Sequence, residues 1–378
     1  MKCRKCALAI SRFRQKLLVQ HLKKVDFLRG VAIILVFLFH CHLVFFDPNN
    51  TQNNILQHFT IKNILLNLSP SSIGWTGVPL FFIISGFLIH LGFIKNESTF
   101  KVSTFFSKRF WRIYIPYWLT LVLFLAMQLF SGNGMAQAGR NDILSHVFTI
   151  YNFNDRYIYS INPSYWSLAT EVQLYLIYPI MLYLRKLLGI KNCFLVICAI
   201  SACSLILGMI FNNFGTSYIY KYSPIQLWFI WAAGAYYAEA IYGKNLRIFK
   251  NGSWAVFLAL YLSLIASTLF NFTGNFSFWL AAAACLVLFD SVLNSRVINI
   301  EKTLPKIIIF TGLCSYSFYL IHQPFLPQLL NFFGSGSARS LRMLSILPAF
   351  ILILLTSYLL YKLVELPSIR AGKTLRRG

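Results

Sequence analysis

Ten runs of 17 to 21 mostly apolar residues recur along this chain of 378 residues. They lie at 27–46, 74–94, 113–131, 166–184, 193–211, 224–242, 253–271, 277–293, 307–325 and 343–363. About 20 such residues span a hydrocarbon core as a helix, because in lipid a helix satisfies its own backbone groups. The pattern predicts an all-α polytopic membrane protein with about ten transmembrane helices. With 57% hydrophobic residues, a water-soluble domain of this size has no interior for so many Phe and Tyr side chains. Internal repeats, heptads and low-complexity segments are not visible.

Charge sets the expected orientation. With the N-terminus inside, the cytosolic segments carry 28 of the 34 Lys and Arg residues. The outer segments keep Lys62, Arg140, Arg156, Lys221, Arg339 and Arg342. The opposite orientation inverts this asymmetry, so both termini are expected in the cytoplasm. The net charge of +24 is dispersed in short blocks between apolar runs, a membrane pattern rather than a nucleic-acid one. The chain divides into a basic tail at 1–24, a transmembrane body at 25–366 and a basic tail at 367–378. The first tail reads either as a short amphipathic helix on an anionic leaflet or as a solvated topology signal. The segments 47–73 and 131–165 read as modest outer loops.

The eight cysteines do not form a disulfide pattern. Six lie in apolar runs and are expected to be free thiols. Cys3-x-x-Cys6 has no second pair and is weak as a zinc motif, so no metal site is expected. No cleavable signal peptide is visible, since the first apolar run is too long and lacks a small-residue cleavage site.

The run 27–46 carries the chemistry that stands out. Arg29 lies at its inner end and His40 eleven residues further on. At about 100° per residue the two share a helix face, roughly 16 Å apart along the axis. Ionisable groups at membrane depth usually face a cavity or a partner, so this stripe is expected to wall a site. Arg109 and Arg112 share a face at the start of the third run. Two guanidiniums suit phosphate oxygens, and equally serve as positive-inside anchors. Glu171 lies in the outer half of the fourth run, at the rim of a site or as a structural partner of an Arg or Tyr. Ser85 and Gly86 are small enough for close helix approach, and packing is the simpler role for Gly86. His322 is a second deep imidazole, and Pro324 is expected to break or kink its helix. His42 and His90 fall near membrane surfaces. His40 and His42 are about 200° apart on a helix, which argues against a two-His metal site.

Together these residues resemble acyltransferase family 3, the membrane-embedded O-acyltransferases. The resemblance runs from about residue 25 to Pro367. It rests on Asp26-Phe-Leu-Arg29-Gly with His40, Gly77 to Phe87, Arg109-x-x-Arg112 with Pro116, and Trp166-Ser167-Leu168 with Glu171. Tyr316-Ser317 with His322 and Glu365-x-Pro367 complete the set. The resemblance implies a multi-pass protein of the bacterial inner membrane, surrounded by membrane lipids, with no permanently bound cofactor and no nucleic-acid partner. It implies cytosolic acetyl-CoA, or another acyl-CoA, as donor. The implied acceptor is a hydroxyl of an outer-side glycan or lipid-linked glycan: O-antigen of lipopolysaccharide, exopolysaccharide or peptidoglycan. Some members add a C-terminal hydrolase-like domain, which is not expected here.

In the scheme this implies, Arg109, Arg112 and Arg29 dock the phosphates and Ser85 contacts the thioester arm. His40 acts as general base or transient acyl carrier. Glu171 orients or charge-balances His40, if the fourth helix packs beside the first. Trp166, Tyr316, Ser317 and His322 line the acceptor side. The alternatives are a proton-coupled transporter or flippase, which also buries His and Glu, and a non-catalytic scaffold.

Overall fold

The computed structural model describes residues 2–46, 71–130, 138–211, 218–243, 253–269, 276–294, 301–334 and 343–374. All regular structure among them is helical. The first helix, α1 (Lys2–Phe46), is continuous for 45 residues. At about 1.5 Å per residue it is roughly 68 Å long, about twice a hydrocarbon core. The tail and the first apolar run are therefore one helix, since no proline interrupts them. Cys3 and Cys6 lie among side chains outside the described set, as do most of the segment 47–73 and the residues 375–378.

Three helices follow in the N-terminal half: α2 (Gly77–Lys95), α3 (Val102–Phe130) and the short α4 (Arg140–Val147). Next comes α5 (Trp166–Phe211), which carries two apolar runs joined at Gly189. Gly189 has φ of 73°, a left-handed conformation that glycine adopts without a Cβ clash. Then come α6 (Pro224–Ala238), α7 (Ser253–Leu269) and α8 (Ser277–Asn294). The C-terminal part has α9 (Thr303–Leu313), α10 (Ser315–Gly334), α11 (Ile346–Leu360) and α12 (Leu366–Thr374).

Among the described residues six helical segments are long and apolar enough to cross a membrane, or seven if the α9–α10 pair, bent by 79°, is one span. All ten apolar runs fall largely on helices. The lower number arises because α5 holds two runs and α6 and α7 are short.

The helices that build the site are locked by glycine. Gly86 on α2 lies against the Trp231 carbonyl of α6, and Gly234 on α6 against the Ile83 carbonyl of α2. A Cβ at either position would collide with backbone. Gly30 and Gly312 make the same reciprocal contact between α1 and α9. Small residues here let helix axes approach closely, the main source of packing energy in lipid.

One expectation needs correction. Pro324 does not end its helix: α10 continues through Pro324 and Pro327, and the sharp bend falls before it, between α9 and α10. Pro324 has no N–H for the Leu320 carbonyl four residues back. Asn162 fills that gap, its Nδ2 donating to Leu320 O at 3.0 Å.

The described part of 131–165, expected as an outer loop, carries side chains buried against α3 and α5. It folds back along α3, where Gln128 Nε2 donates to Ser160 O (3.4 Å) and Tyr114 Oη meets Thr149 Oγ1 (3.1 Å). Those α3 residues are fourteen apart, about 21 Å along the axis. Tyr117 donates to His146 O at 2.8 Å and Gln173 to Thr149 O at 2.8 Å. Irregular backbone is tolerated at membrane depth only when protein groups satisfy it in this way. The C-terminal basic stretch begins as α12, which packs on α3 through Gly372 against Trp111. The cysteines of the apolar runs are free thiols.

Candidate functional site

A cavity opens among α1, α2, α3, α5 and α10. α1 contributes Arg29, α2 Ser85, and α3 both Arg109 and Arg112. From α5 come Glu171 and Tyr175, and from α10 Tyr316 and Tyr319. Helical spacing explains the pairs: Arg109 and Arg112 are three apart, and so are Tyr316 and Tyr319, while Glu171 and Tyr175 are four apart.

The cavity is electropositive. Three guanidiniums face one carboxylate. Arg29 has Asp26 nearby, Nη1 to Oδ1 at 3.7 Å. Neither Arg109 nor Arg112 makes a salt bridge among the described residues, and Arg109 Nε is buried without a hydrogen-bond partner. Arg109 is held by aromatic faces instead, its Cζ 5.6 Å from the Tyr175 ring centroid and 5.9 Å from that of Phe105. A buried donor without an acceptor is costly, and Arg109 Nε is such a donor in a residue that lines the cavity.

A hydrogen-bond relay crosses the cavity wall. Trp231 Nε1 donates to Ser85 Oγ at 3.3 Å, and Ser85 Oγ meets Tyr175 Oη at 3.0 Å. Tyr175 Oη donates to Glu171 Oε1 at 2.5 Å. Since Trp231 and Tyr175 are donors at the two ends, Ser85 donates to Tyr175 and the whole chain points toward the carboxylate.

His40 is not among the cavity's lining residues; its neighbour is His322. His40 Nδ1 lies 2.9 Å from Val36 O and 3.1 Å from His322 Nε2. His322 is fully buried, with Nδ1 2.9 Å from Tyr319 O. Tyr319 joins the two regions. It lines the cavity, its ring centroid is 5.6 Å from that of His322, and its hydroxyl bonds Ser167 Oγ at 2.7 Å and the Ser164 carbonyl.

The structure thus brings Arg29, Ser85, Arg109, Arg112, Glu171 and Tyr316 together in one cavity, and pairs His40 with His322 beyond Tyr319. It does not join Glu171 to His40: Glu171 is taken by Tyr175, whose side chain meets Ser85 of α2 and Arg109 of α3. Ser317 donates to Glu365 Oε2 at 2.7 Å inside the protein. Trp166 stacks on Tyr222 with ring centroids 4.0 Å apart, away from the cavity. His42 meets Ser71 Oγ at 3.2 Å.

Outside the site, His90 Nε2 lies 2.9 Å from Glu239, which Arg185 grips with Nε at 2.8 Å and Nη2 at 3.0 Å. That satisfied network ties α2, α5 and α6 together.

Tyr175 and Tyr319 had no role in the sequence reading. The available signal was position, one helical turn from Glu171 and from His322.

The chain is similar to a known family and to several of its members. A family model described as an acyltransferase domain, family 3, matches residues 22–362. An uncharacterized protein of Haemophilus influenzae is 30% identical over 53% of this chain and 89% of its own length. The peptidoglycan O-acetyltransferase OatA of Listeria monocytogenes is 28% identical over 46% of this chain, which spans 26% of that protein. A putative O-acetyltransferase of Staphylococcus aureus is 22% identical over 70% of this chain and 48% of its own length. No solved structure matches significantly. Ten apolar runs on helices, an arginine-lined cavity and a family match over nearly the whole chain lead to one assignment: this multi-pass membrane protein belongs to acyltransferase family 3 and is an O-acyltransferase.

Proposed function

We propose that the protein moves an acyl group, most simply acetyl, from cytosolic acyl-CoA to a hydroxyl of a glycan on the outer side of a bacterial inner membrane. The observation that carries this is the convergence of Arg29, Arg109 and Arg112 on one cavity with a single lining carboxylate. Coenzyme A presents a diphosphate and a 3′-phosphate. Guanidiniums bind such oxygens with charge-assisted, often paired, hydrogen bonds. The relative named as a peptidoglycan O-acetyltransferase and those named putative O-acetyltransferases point to a hydroxyl acceptor of the glycan class.

In this reading the phosphates stay at the arginines and the thioester arm extends past Ser85 toward Tyr319. His40 takes the proton of the acceptor hydroxyl as its oxygen attacks the thioester carbonyl. The new C–O bond forms, the C–S bond breaks, and the departing thiolate takes up the proton that His40 has received. Tyr319 separates the donor cavity from the imidazole pair, so its side chain must yield for the acyl carbon to meet the acceptor. Glu171 acts within the cavity by fixing Tyr175 and Ser85.

The test uses purified protein in lipid nanodiscs with radiolabelled acetyl-CoA. Arg109→Ala and Arg112→Ala are each expected to raise KM for acetyl-CoA by about 10- to 100-fold, since a bond to a charged group contributes about 1.5–3 kcal/mol. An unchanged KM in both variants would reduce the pair to topology anchors. Mass spectrometry of surface glycans with and without the gene then identifies the acceptor by its base-labile acetyl ester.

A further inference from the structure

We propose that His322 is a positioning residue that selects the tautomer of His40 and stabilises its protonated form, in place of the carboxylate that usually orients a catalytic imidazole. The inference rests on His40 as general base.

The hydrogen-bond network assigns the protons. The Tyr319 carbonyl lies 2.9 Å from His322 Nδ1. A carbonyl only accepts, so that nitrogen carries the proton and His322 Nε2 carries a lone pair. The same logic holds one helix away. Val36 O lies 2.9 Å from His40 Nδ1, so His40 Nδ1 is the protonated nitrogen. Its N–H is shared between Val36 O and the His322 Nε2 lone pair, 3.1 Å off. His40 Nε2 is left with its lone pair, and no partner of that atom is found among the described residues. The basic end of His40 is thereby defined by two acceptors on its other side.

The arrangement suits a dry site. A carboxylate at the position of His322 would need a buried counter-charge, whereas a neutral imidazole carries little desolvation cost. When His40 Nε2 takes a proton, the ring becomes cationic and its Nδ1–H becomes a stronger donor. Both acceptors then hold it more tightly than in the resting state, which is the differential stabilisation a base needs.

The scaffold fixes His322 firmly. The residue is fully buried, and its ring stacks on Phe318 at 5.9 Å between centroids with an interplanar angle of 28°. Two residues on, Pro324 frees the Leu320 carbonyl, and Asn162 ties that group to the segment before α5.

Three variants and one spectrum test this. His322→Leu removes the acceptor and keeps most of the volume. It is expected to lower kcat by about 10- to 100-fold, the scale on which partners that orient an imidazole act, with KM for acetyl-CoA unchanged. His322→Gln places an amide oxygen where Nε2 lies and should restore kcat to within a few-fold of the parent. In protein labelled with 15N-histidine, solid-state NMR should show His40 protonated at Nδ1 and bare at Nε2, and this population should be lost in His322→Leu. Elution volume and thermal midpoint, measured for each variant, ensure that only folded protein is compared. Full activity of folded His322→Leu, or His322→Gln as inactive as His322→Leu, would overturn the inference. His40→Ala separates the two readings. If it keeps activity, the base assignment fails and this inference falls with it. If it is inactive while His322→Leu is fully active, only the positioning role is lost.

Discussion

Tyr175 shows how much one hydroxyl organises at this site. It accepts from Ser85, donates to Glu171 and offers its ring face to Arg109. Tyr175→Phe keeps the ring and removes the two hydrogen bonds. Glu171 is then free to turn toward Arg109 and Arg112, where it competes with an anionic ligand. KM for acetyl-CoA is expected to rise by about tenfold with a smaller change in kcat, matching one lost bond to a charged group. Initial-rate kinetics against acetyl-CoA check this, and a fall in kcat alone would contradict the competition argument. Arg29, Arg109, Arg112, Ser85 and Glu171, which line this cavity, could be picked out in the sequence as polar groups within or at the ends of apolar runs. The partner of His40 was not. His40 and His322 are 282 residues apart, and no spacing rule joins them.

At the scale of elements, the segment before α5 matters most. In sequence 131–165 is polar, Gly-containing and Tyr-rich, the profile of a surface loop. In the structure Asp142, His146, Tyr151, Asn152 and Asn162 are all buried. The difference comes from partners on α3 and α5 that exist only after folding. Asn152 and Gln173 exchange a pair of amide hydrogen bonds at 2.9 and 2.7 Å. Asn162 compensates Pro324, which explains why a proline expected to end a helix lies inside one. Asn162→Ala leaves the Leu320 carbonyl buried and unpaired, which costs about 1–3 kcal/mol. A lower thermal midpoint in detergent is expected, along with reduced kcat because His322 is two residues away. An unchanged midpoint would mean that water or a helix adjustment replaces the amide.

For the whole molecule, Arg29 of α1 and Arg109 and Arg112 of α3 meet at one cavity, so the side of the membrane that it faces follows from the orientation of the chain. Lys101 precedes α3 and is exposed, and Phe276 precedes α8 and is 44% exposed. With the N-terminus inside, a cysteine replacing Lys101 is expected to react with a membrane-impermeant maleimide only from the cytoplasmic face. One replacing Phe276 should react in intact cells. The reverse pattern would place the arginine cavity on the outer side and exclude a cytosolic donor.

By itself the sequence determined that this chain is an all-helical membrane protein and which side chains lie at costly depths, because hydropathy and helical periodicity are local properties of a segment. The tertiary structure decided which of those groups meet. It gave Glu171 to Tyr175 and the arginine cavity, gave His40 to His322, and drew a loop-like segment into the interior. Those outcomes depend on which helices approach closely, as at Gly86 with Gly234 and at Gly30 with Gly312. They depend also on buried polar groups such as Asn152, Gln173 and Asn162 finding partners far away in sequence, which only the folded chain brings near.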